Sequence, residues 1–249
     1  TISSGNTVYT GLITGDDVTV SVTGIFADAN AGNGKTVTLT SSYSGSDLGN
    51  YSITDQATTT ANITPKTVSL SGTTATKVYD GTTTLSGSQV TISTGVGSEV
   101  LTYTNAAANS ANVGSNNYIS AITLANGANG ELASNYALPT LNASNAPVII
   151  TAKSITLTAP SINKVYDGGY TYDLSVSDLS AINAQLTGTD TFNAAQAIFV
   201  GNNPNVGNNK TIEIDLSSVS ISDGNQGLNY AVTSVNSVGN ITPVSLIVT

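Results

Sequence analysis

Residues 17–22, Asp-Val-Thr-Val-Ser-Val, alternate strictly between polar and apolar side chains. That is the period of a strand with one buried face. Short runs of the same kind follow along the whole chain. In the first third they predict strands at 35–39, 51–53 and 61–63, with turn-rich loops at 28–34 and 41–49. Further strands are predicted at 67–70, 77–79, 89–92, 99–103, 117–124, 136–138 and 148–151. The last third adds 155–157, 164–166, 171–176, 192–199, 210–216 and 231–235. Clusters of Gly, Asn and Ser separate these runs and supply the φ > 0 positions that tight turns need. No long stretch carries a helical period. The Ala-rich segments 105–112 and 193–197 are the places where a single helical turn is expected, too short to stand as helices alone. Many short strands between turn signals predict an all-β fold, an elongated tandem array of small immunoglobulin-like β-sandwiches. The alternative is a β-grasp-like unit with one short helix in each copy.

The pattern also repeats on a larger scale. Lys77-Val78-Tyr79-Asp80-Gly81 returns 87 residues later as Lys164-Val165-Tyr166-Asp167-Gly168. Asn50-Tyr51 returns as Asn135-Tyr136 and as Asn229-Tyr230. Asn62-Ile63-Thr64-Pro65 returns as Asn240-Ile241-Thr242-Pro243, and more loosely as Ile149-Ile150-Thr151-Ala152. Val113-Gly114 returns as Val206-Gly207 and loosely as Ala31-Gly32. A five-residue identity at such a distance marks tandem domains. The predicted division is a first copy at 1–66 lacking its opening strands, a second at 67–152 and a third at 153–249. The third ends, at 245–248, in the first strand of a further unit, or else that strand closes the preceding domain. Asp17-Val18 aligned with Glu99-Val100 sets Thr1 opposite Thr83. Three residues separate the predicted strands 148–151 and 155–157, too few for a flexible linker. Semi-rigid, end-to-end stacking into a monomeric rod is therefore expected.

The Lys-Val-Tyr-Asp-Gly-Thr-Thr block at 77–83, the later Asn-Tyr pairs and Ile-Thr-Pro-Lys at 63–66 resemble the YDG and related MBG repeats. Those repeats belong to large bacterial surface adhesins, notably the filamentous-haemagglutinin-like exoproteins of two-partner secretion. The resemblance covers nearly the whole chain. It implies an extracellular protein of the bacterial cell surface, the structural stalk of a secreted adhesin that projects a binding region for attachment or biofilm formation. A host or matrix receptor or a polysaccharide would be met through the parent adhesin. The alternative function is a glycan- or matrix-protein-binding module within the repeats themselves.

Composition narrows the remaining classes. The 249 residues have room for one to three domains, and copies of this size can bury a core without staples. All six basic residues are lysines, set against fifteen acids for a net charge of −9. No basic patch exists to meet phosphates, so no nucleic acid partner is expected. An anionic membrane surface would repel the chain, and no apolar run approaches the ~20 residues that span a bilayer, so no membrane insertion is expected. Cysteine is absent, which removes disulfides, thiolate metal sites and a cysteine nucleophile. Histidine, the commonest general acid–base, is absent too. The acids are dispersed with the repeat, so no enzyme and no catalytic residue is expected. The missing initiator Met and signal peptide point to a fragment of something longer.

Charged residues make up only 8% of the chain, so their recurrence implies a structural job for each. The repeat-defining residues are Lys77, Tyr79, Asp80 and Gly81, with Lys164, Tyr166, Asp167 and Gly168. Lys66 and Lys153 also recur, as do Lys35 and Lys210, and Asp17, Glu99 and Asp190 are read as matching positions. Lys77 and Lys164 are expected to form local ion pairs, with Asp80 and Asp167 accepting backbone N–H groups in the turn. The competing reading is a Lys–Asn isopeptide bond driven by a buried acid in an apolar pocket. No cofactor and no metal is expected; calcium is the candidate that the acidic balance raises. The loop motif D-x-[DN]-x-[DN]-G is absent, and Asp28 with Asn30 and Asn33 reads equally well as a solvated turn. Tyr170 and Tyr172 share one strand face and are candidate ligand contacts for a sugar, whereas Tyr79 and Tyr166 recur and are read as packing residues. Asn50, Asn62, Asn142, Asn209 and Asn240 head formal N-glycosylation triplets, which so Asn-, Ser- and Thr-rich a chain also produces by chance.

Overall fold

The structure is a computed structural model that describes residues 8, 10–70 and 75–248. Thr1, and with it the Thr1–Thr83 correspondence, lies outside the described residues. The chain is mostly β. The first copy supplies β1 (Thr19–Phe26), β2 (Gly32–Ser44) and β3 (Thr58–Ile63). The second supplies β4 (Lys66–Thr67), β5 (Ala75–Val78), β6 (Thr84–Leu85), β7 (Thr102–Ala108), β8 (Ile119–Ala125), β9 (Tyr136–Ala137) and β10 (Val148–Thr151). The third supplies β11 (Lys153–Thr158), β12 (Asn163–Val165), β13 (Thr171–Asp173), α1 (Val176–Asn183), β14 (Thr191–Phe199), β15 (Gly207–Ser222), β16 (Tyr230–Val235) and β17 (Ser237–Thr242). A single residue, Ala152, joins β10 to β11, fewer than the three expected.

The chain divides into two compact units, and the division runs through the second copy. The first unit holds residues 1–69, 92–102 and 124–139. Its sheet is antiparallel in the order β1-β2-β3, and β4 lies parallel to β9. β2 is longer than its hydrophobic run, reaching into residues read as loops on both sides, because β1 and β3 pair it from either flank. Alternation drives this sheet. Val37 is fully buried while its neighbours Thr36 and Thr38 are not. The predicted strand at 51–53 has no ladder and is extended coil.

The second unit holds residues 70–91, 103–123 and 140–249. Here β5 runs parallel to β10, and β6 lies antiparallel to β7, which has β8 on its other side. The third copy forms a five-stranded sheet in the order β12-β17-β15-β14-β13, while β11 runs parallel to β16. Residues 153–158 face 230–235, and 163–165 face 240–242, all at one offset of 77 residues. The gap between these ladders is bridged by Ser161 donating to the Val238 carbonyl and Ser237 donating to the Pro160 carbonyl. The core holds Leu157, Phe199, Ile212 and Ile241, each exposed by 1% or less. Burying such side chains contributes roughly 1.5–3 kcal/mol apiece.

Two expectations are corrected here. The Ala-rich segments carry strand where helical turns were expected: Ala106 and Ala108 in β7, and Ala195 and Ala197 in β14, are buried. The α-helix falls at 176–183, where a strand was expected to run on to residue 176. Ser175 and Asp178 explain it. The Asp178 N–H donates to Ser175 Oγ and the Ser175 N–H donates to the Asp178 carboxylate, a reciprocal cap that satisfies two donors at the helix start. Residues 245–248 are exposed and pair in no ladder among the described residues.

Candidate functional site

The recurring Lys-Val-Tyr-Asp-Gly block builds a self-contained turn. Lys77 is buried, and its Nζ donates to the carbonyls of Thr82 and Thr84, both at 2.8 Å, while pairing with Asp80 Oδ1 at 2.8 Å. Asp80 Oδ1 accepts the Thr82 N–H at 2.9 Å. Lys164 repeats the arrangement, donating to the carbonyls of Gly169 and Thr171 and pairing with Asp167 at 2.8 Å. Gly81 and Gly168 sit at φ +77° and +83°, a conformation that glycine adopts without steric cost. Burial works against ionisation of Asp80, but the bonds from Lys77 and Thr82 outweigh it and hold the carboxyl below its ordinary value. Asp167 is lowered first by Lys164 and then by the Gly169 N–H. Among the described residues, the partners of both ammonium groups are carbonyls, a Thr hydroxyl and these aspartates, with no asparagine among them.

The second recurring element pairs the tyrosine of each Asn-Tyr with an acid on a tight turn. Tyr51 donates to Asp16 Oδ2 at 2.6 Å and accepts the Ile13 N–H at 3.1 Å. Tyr230 donates to Asp190 Oδ2 at 2.7 Å and accepts the Thr187 N–H at 2.8 Å. Tyr136 donates to Glu99 in the same way. The turns close alike, by Asp16 N to Ile13 O, Glu99 N to Val96 O and Asp190 N to Thr187 O. Asp16, not Asp17, is therefore the counterpart of Glu99 and Asp190, and the sequence alignment is off by one. Adjacent aspartates hid this: only the turn hydrogen bond tells them apart. Asp17 instead accepts from Ser46, and its N–H donates to Asp47.

Tyr79 enters the third copy's pair from the copy before it. Its hydroxyl donates to Asp190 Oδ2 at 2.8 Å, and its ring meets Tyr230 edge-on, centroids 5.5 Å apart at 77°. Burial, then the bond to Asp190, pushes the hydroxyls of both Tyr79 and Tyr230 above the ordinary phenol value. Tyr51 and Tyr136 are raised first by their bonds to Asp16 and Glu99.

The asparagine of each Asn-Tyr makes the third element. Asn135 Oδ1 accepts the Ala31 N–H at 2.8 Å, and its Nδ2 donates to Asn30 Oδ1 at 3.0 Å. Asn229 Oδ1 accepts the Val113 N–H at 2.9 Å, and its Nδ2 donates to Asn112 Oδ1 at 2.9 Å. Each asparagine thus clasps the same loop of the preceding copy. Asn229 is fully buried with every amide position engaged, as a buried amide must be to offset its desolvation. The first unit contains the Asn135 clasp and the second contains the Asn229 clasp. Compactness follows these junctions, and this is why the division cuts the second copy.

The other candidate residues lie apart from these clasps. Tyr170 and Tyr172 are half-buried, Tyr172 within the edge strand β13. The oxygen-rich loop at Asp28 is occupied by the Lys35 ammonium, which with the Asn30 N–H holds that carboxyl low. Among the described residues no group of three or more His, Cys, Asp or Glu side chains is placed to hold a metal ion. No helix among them is long and apolar enough to cross a membrane. Lys66 and Lys153 both reach the acid-bearing turn, at the Gly95 carbonyl and the Thr187 hydroxyl. Of the formal glycosylation acceptors, the amides of Asn62, Asn142 and Asn240 accept backbone N–H groups, whereas Asn50 is exposed. Sequence reasoning found both the Asn-Tyr pairs and the acids but did not join them. Their joint recurrence was the available signal.

These elements define a class: a β-rich protein of tandem copies whose recurring residues build turns and copy-to-copy junctions. The YDG domain matches residues 1–61, 64–143 and 151–237, and the chain belongs to that family. No curated protein and no solved structure matches it.

Proposed function

We propose that this chain is a stalk segment of a secreted bacterial cell-surface adhesin, exported by two-partner secretion, that holds a distal binding region away from the cell for attachment or biofilm formation. The carrying observation is that one junction is built twice in succession, with Asn135 and Asn229 each clasping the loop of the copy before. A module made for catalysis or small-ligand capture has no need of that recurrence, whereas a load-bearing series does. The copies are read as small sandwich units of the immunoglobulin-like kind. A β-grasp array would place a helix in each copy, yet the second copy has only a short 3-10 turn, Gly87–Gln89, where the third has α1. The role is mechanical and needs neither a cofactor nor a catalytic group. Acidic faces rich in Ser, Thr and Asn keep such a stalk soluble and disfavour its lateral association.

The test is to delete pairs of copies from the parent adhesin. Attachment of cells should fall with length while the affinity of the purified binding region stays the same. Attachment indifferent to length, or a 249-residue chain that itself retains the host glycan or matrix protein, would count against the stalk.

A further inference from the structure

We propose that Tyr166, Asn205 and Val206 form a receiving face for a further copy of this repeat, and that the first copy of a second molecule can fill it through Asn50, Tyr51 and Asp16. The three clasp loops are shaped alike. The N–H of Asn30 donates to Asp28 Oδ1, that of Asn112 to Ser110 Oγ and that of Asn205 to Asn203 Oδ1, at 2.8, 3.0 and 2.9 Å. The second and third loops are also braced at the same carbonyl, by different side chains. Asn117 Nδ2 donates to the Asn112 carbonyl at 2.8 Å, and Lys210 Nζ donates to the Asn205 carbonyl at 2.9 Å. Two of these loops hold the asparagine of the following copy. The third has the same form with no side chain of the described residues seated on it, and Val206 is 50% exposed.

The tyrosines tell the same story. Tyr79, seated against Asp190, is 5% exposed, whereas its counterpart Tyr166 is 38% exposed and its hydroxyl has no protein partner among the described residues. The complementary half is present at the other copy. Asn50 is exposed with no partner for its side-chain amide among the described residues, beside an Asp16–Tyr51 pair built like the Asp190–Tyr230 pair that Tyr79 joins. The expected contacts are Asn50 Oδ1 accepting the Val206 N–H, Asn50 Nδ2 donating to Asn205 Oδ1, and Tyr166 donating to Asp16. The contact is head-to-tail, with a different surface on each side, so it is heterologous and not the self-complementary contact of a two-fold dimer. A short covalent junction supplies an effective concentration on the order of millimolar, so the untethered contact is read at protein concentrations of that order.

The chain has no cysteine, which makes a single spin label clean. Thr54, exposed and four residues from Asn50, is replaced as Thr54→Cys and given a nitroxide. The labelled chain is mixed with unlabelled-spin, nitrogen-15-enriched chain at near-millimolar concentration. Paramagnetic broadening centred on the amides of Tyr166, Asn205 and Val206 is expected. It should disappear when the labelled chain also carries Asn50→Ala, and weaken when the observed chain carries Tyr166→Phe. Absence of broadening at those amides, broadening spread over other faces, or broadening that survives both substitutions overturns the proposal. None of these outcomes bears on the stalk reading, which is tested by length.

Discussion

The Tyr79 hydroxyl donates to the Asp190 carboxylate across 111 residues of chain, while Tyr166, the same residue of the same motif one copy later, stands exposed. One motif therefore has two energetic weights. Tyr79→Phe leaves Asp190 with Tyr230 as its remaining hydroxyl donor and should cost about 1–2 kcal/mol. Tyr166→Phe should stay within about 0.5 kcal/mol of the unsubstituted chain. Urea unfolding of the two variants side by side measures the difference.

The same tyrosines give the chain an alkaline limit. The folded state raises the phenol pKa of Tyr79 and Tyr230, so it favours their neutral forms. Their contribution is complete below the ordinary tyrosine value of about 10 and is lost as pH rises beyond it toward the folded values. Unfolding midpoints followed from neutral pH upward should fall above that point. The fall should be shallower in Tyr79→Phe and in Tyr230→Phe.

Asn229 and Asn50 form a second matched pair. Asn229→Ala strands the Val113 N–H and the Asn112 side chain in a buried junction and should cost about 2–4 kcal/mol. Asn50→Ala, at an exposed site, should cost no more than about 0.5 kcal/mol. Equal losses in thermal unfolding would mean the clasp contributes nothing beyond the turn that carries it.

Gly239 is where β17 passes closest to its neighbours. A Cβ there would lie 2.0 Å from the Ile162 carbonyl oxygen and 2.5 Å from Ile212 Cδ1. Gly239→Ala must therefore push backbone apart in the five-stranded sheet, at a cost of more than about 3 kcal/mol. Gly224→Ala meets open space but forces a φ of +70°, which costs about 1–2 kcal/mol. Amide exchange should show β12 and β17 losing protection in the first variant alone.

At low pH the Lys–Asp turns set the limit. Asp80 and Asp167 have lowered folded values, so their contribution is present above the ordinary aspartate value of about 4 and is lost as pH falls through the lower, folded ones. Lys77→Met, which removes the buried ammonium, should flatten that acid loss in the unfolding midpoint. It should also lower stability at neutral pH, because the Thr82 and Thr84 carbonyls lose their donor.

Much of this architecture was legible in order of residues alone, and the reason is range. Strand alternation acts over two residues, and the Lys77–Asp80 and Lys164–Asp167 turns close within seven, so spacing carries them. The 87-residue period announced the copies for the same reason: identical local blocks fold identically. Tertiary structure alone decided which blocks touch. It chose Asp16 over Asp17, turned Ala-rich segments into strands by offering them sheet partners, and set Asn229 against Val113 across 116 residues. A hydrogen bond that distant depends on which surfaces burial brings together, and that is a property of the packed copies, not of any stretch within one.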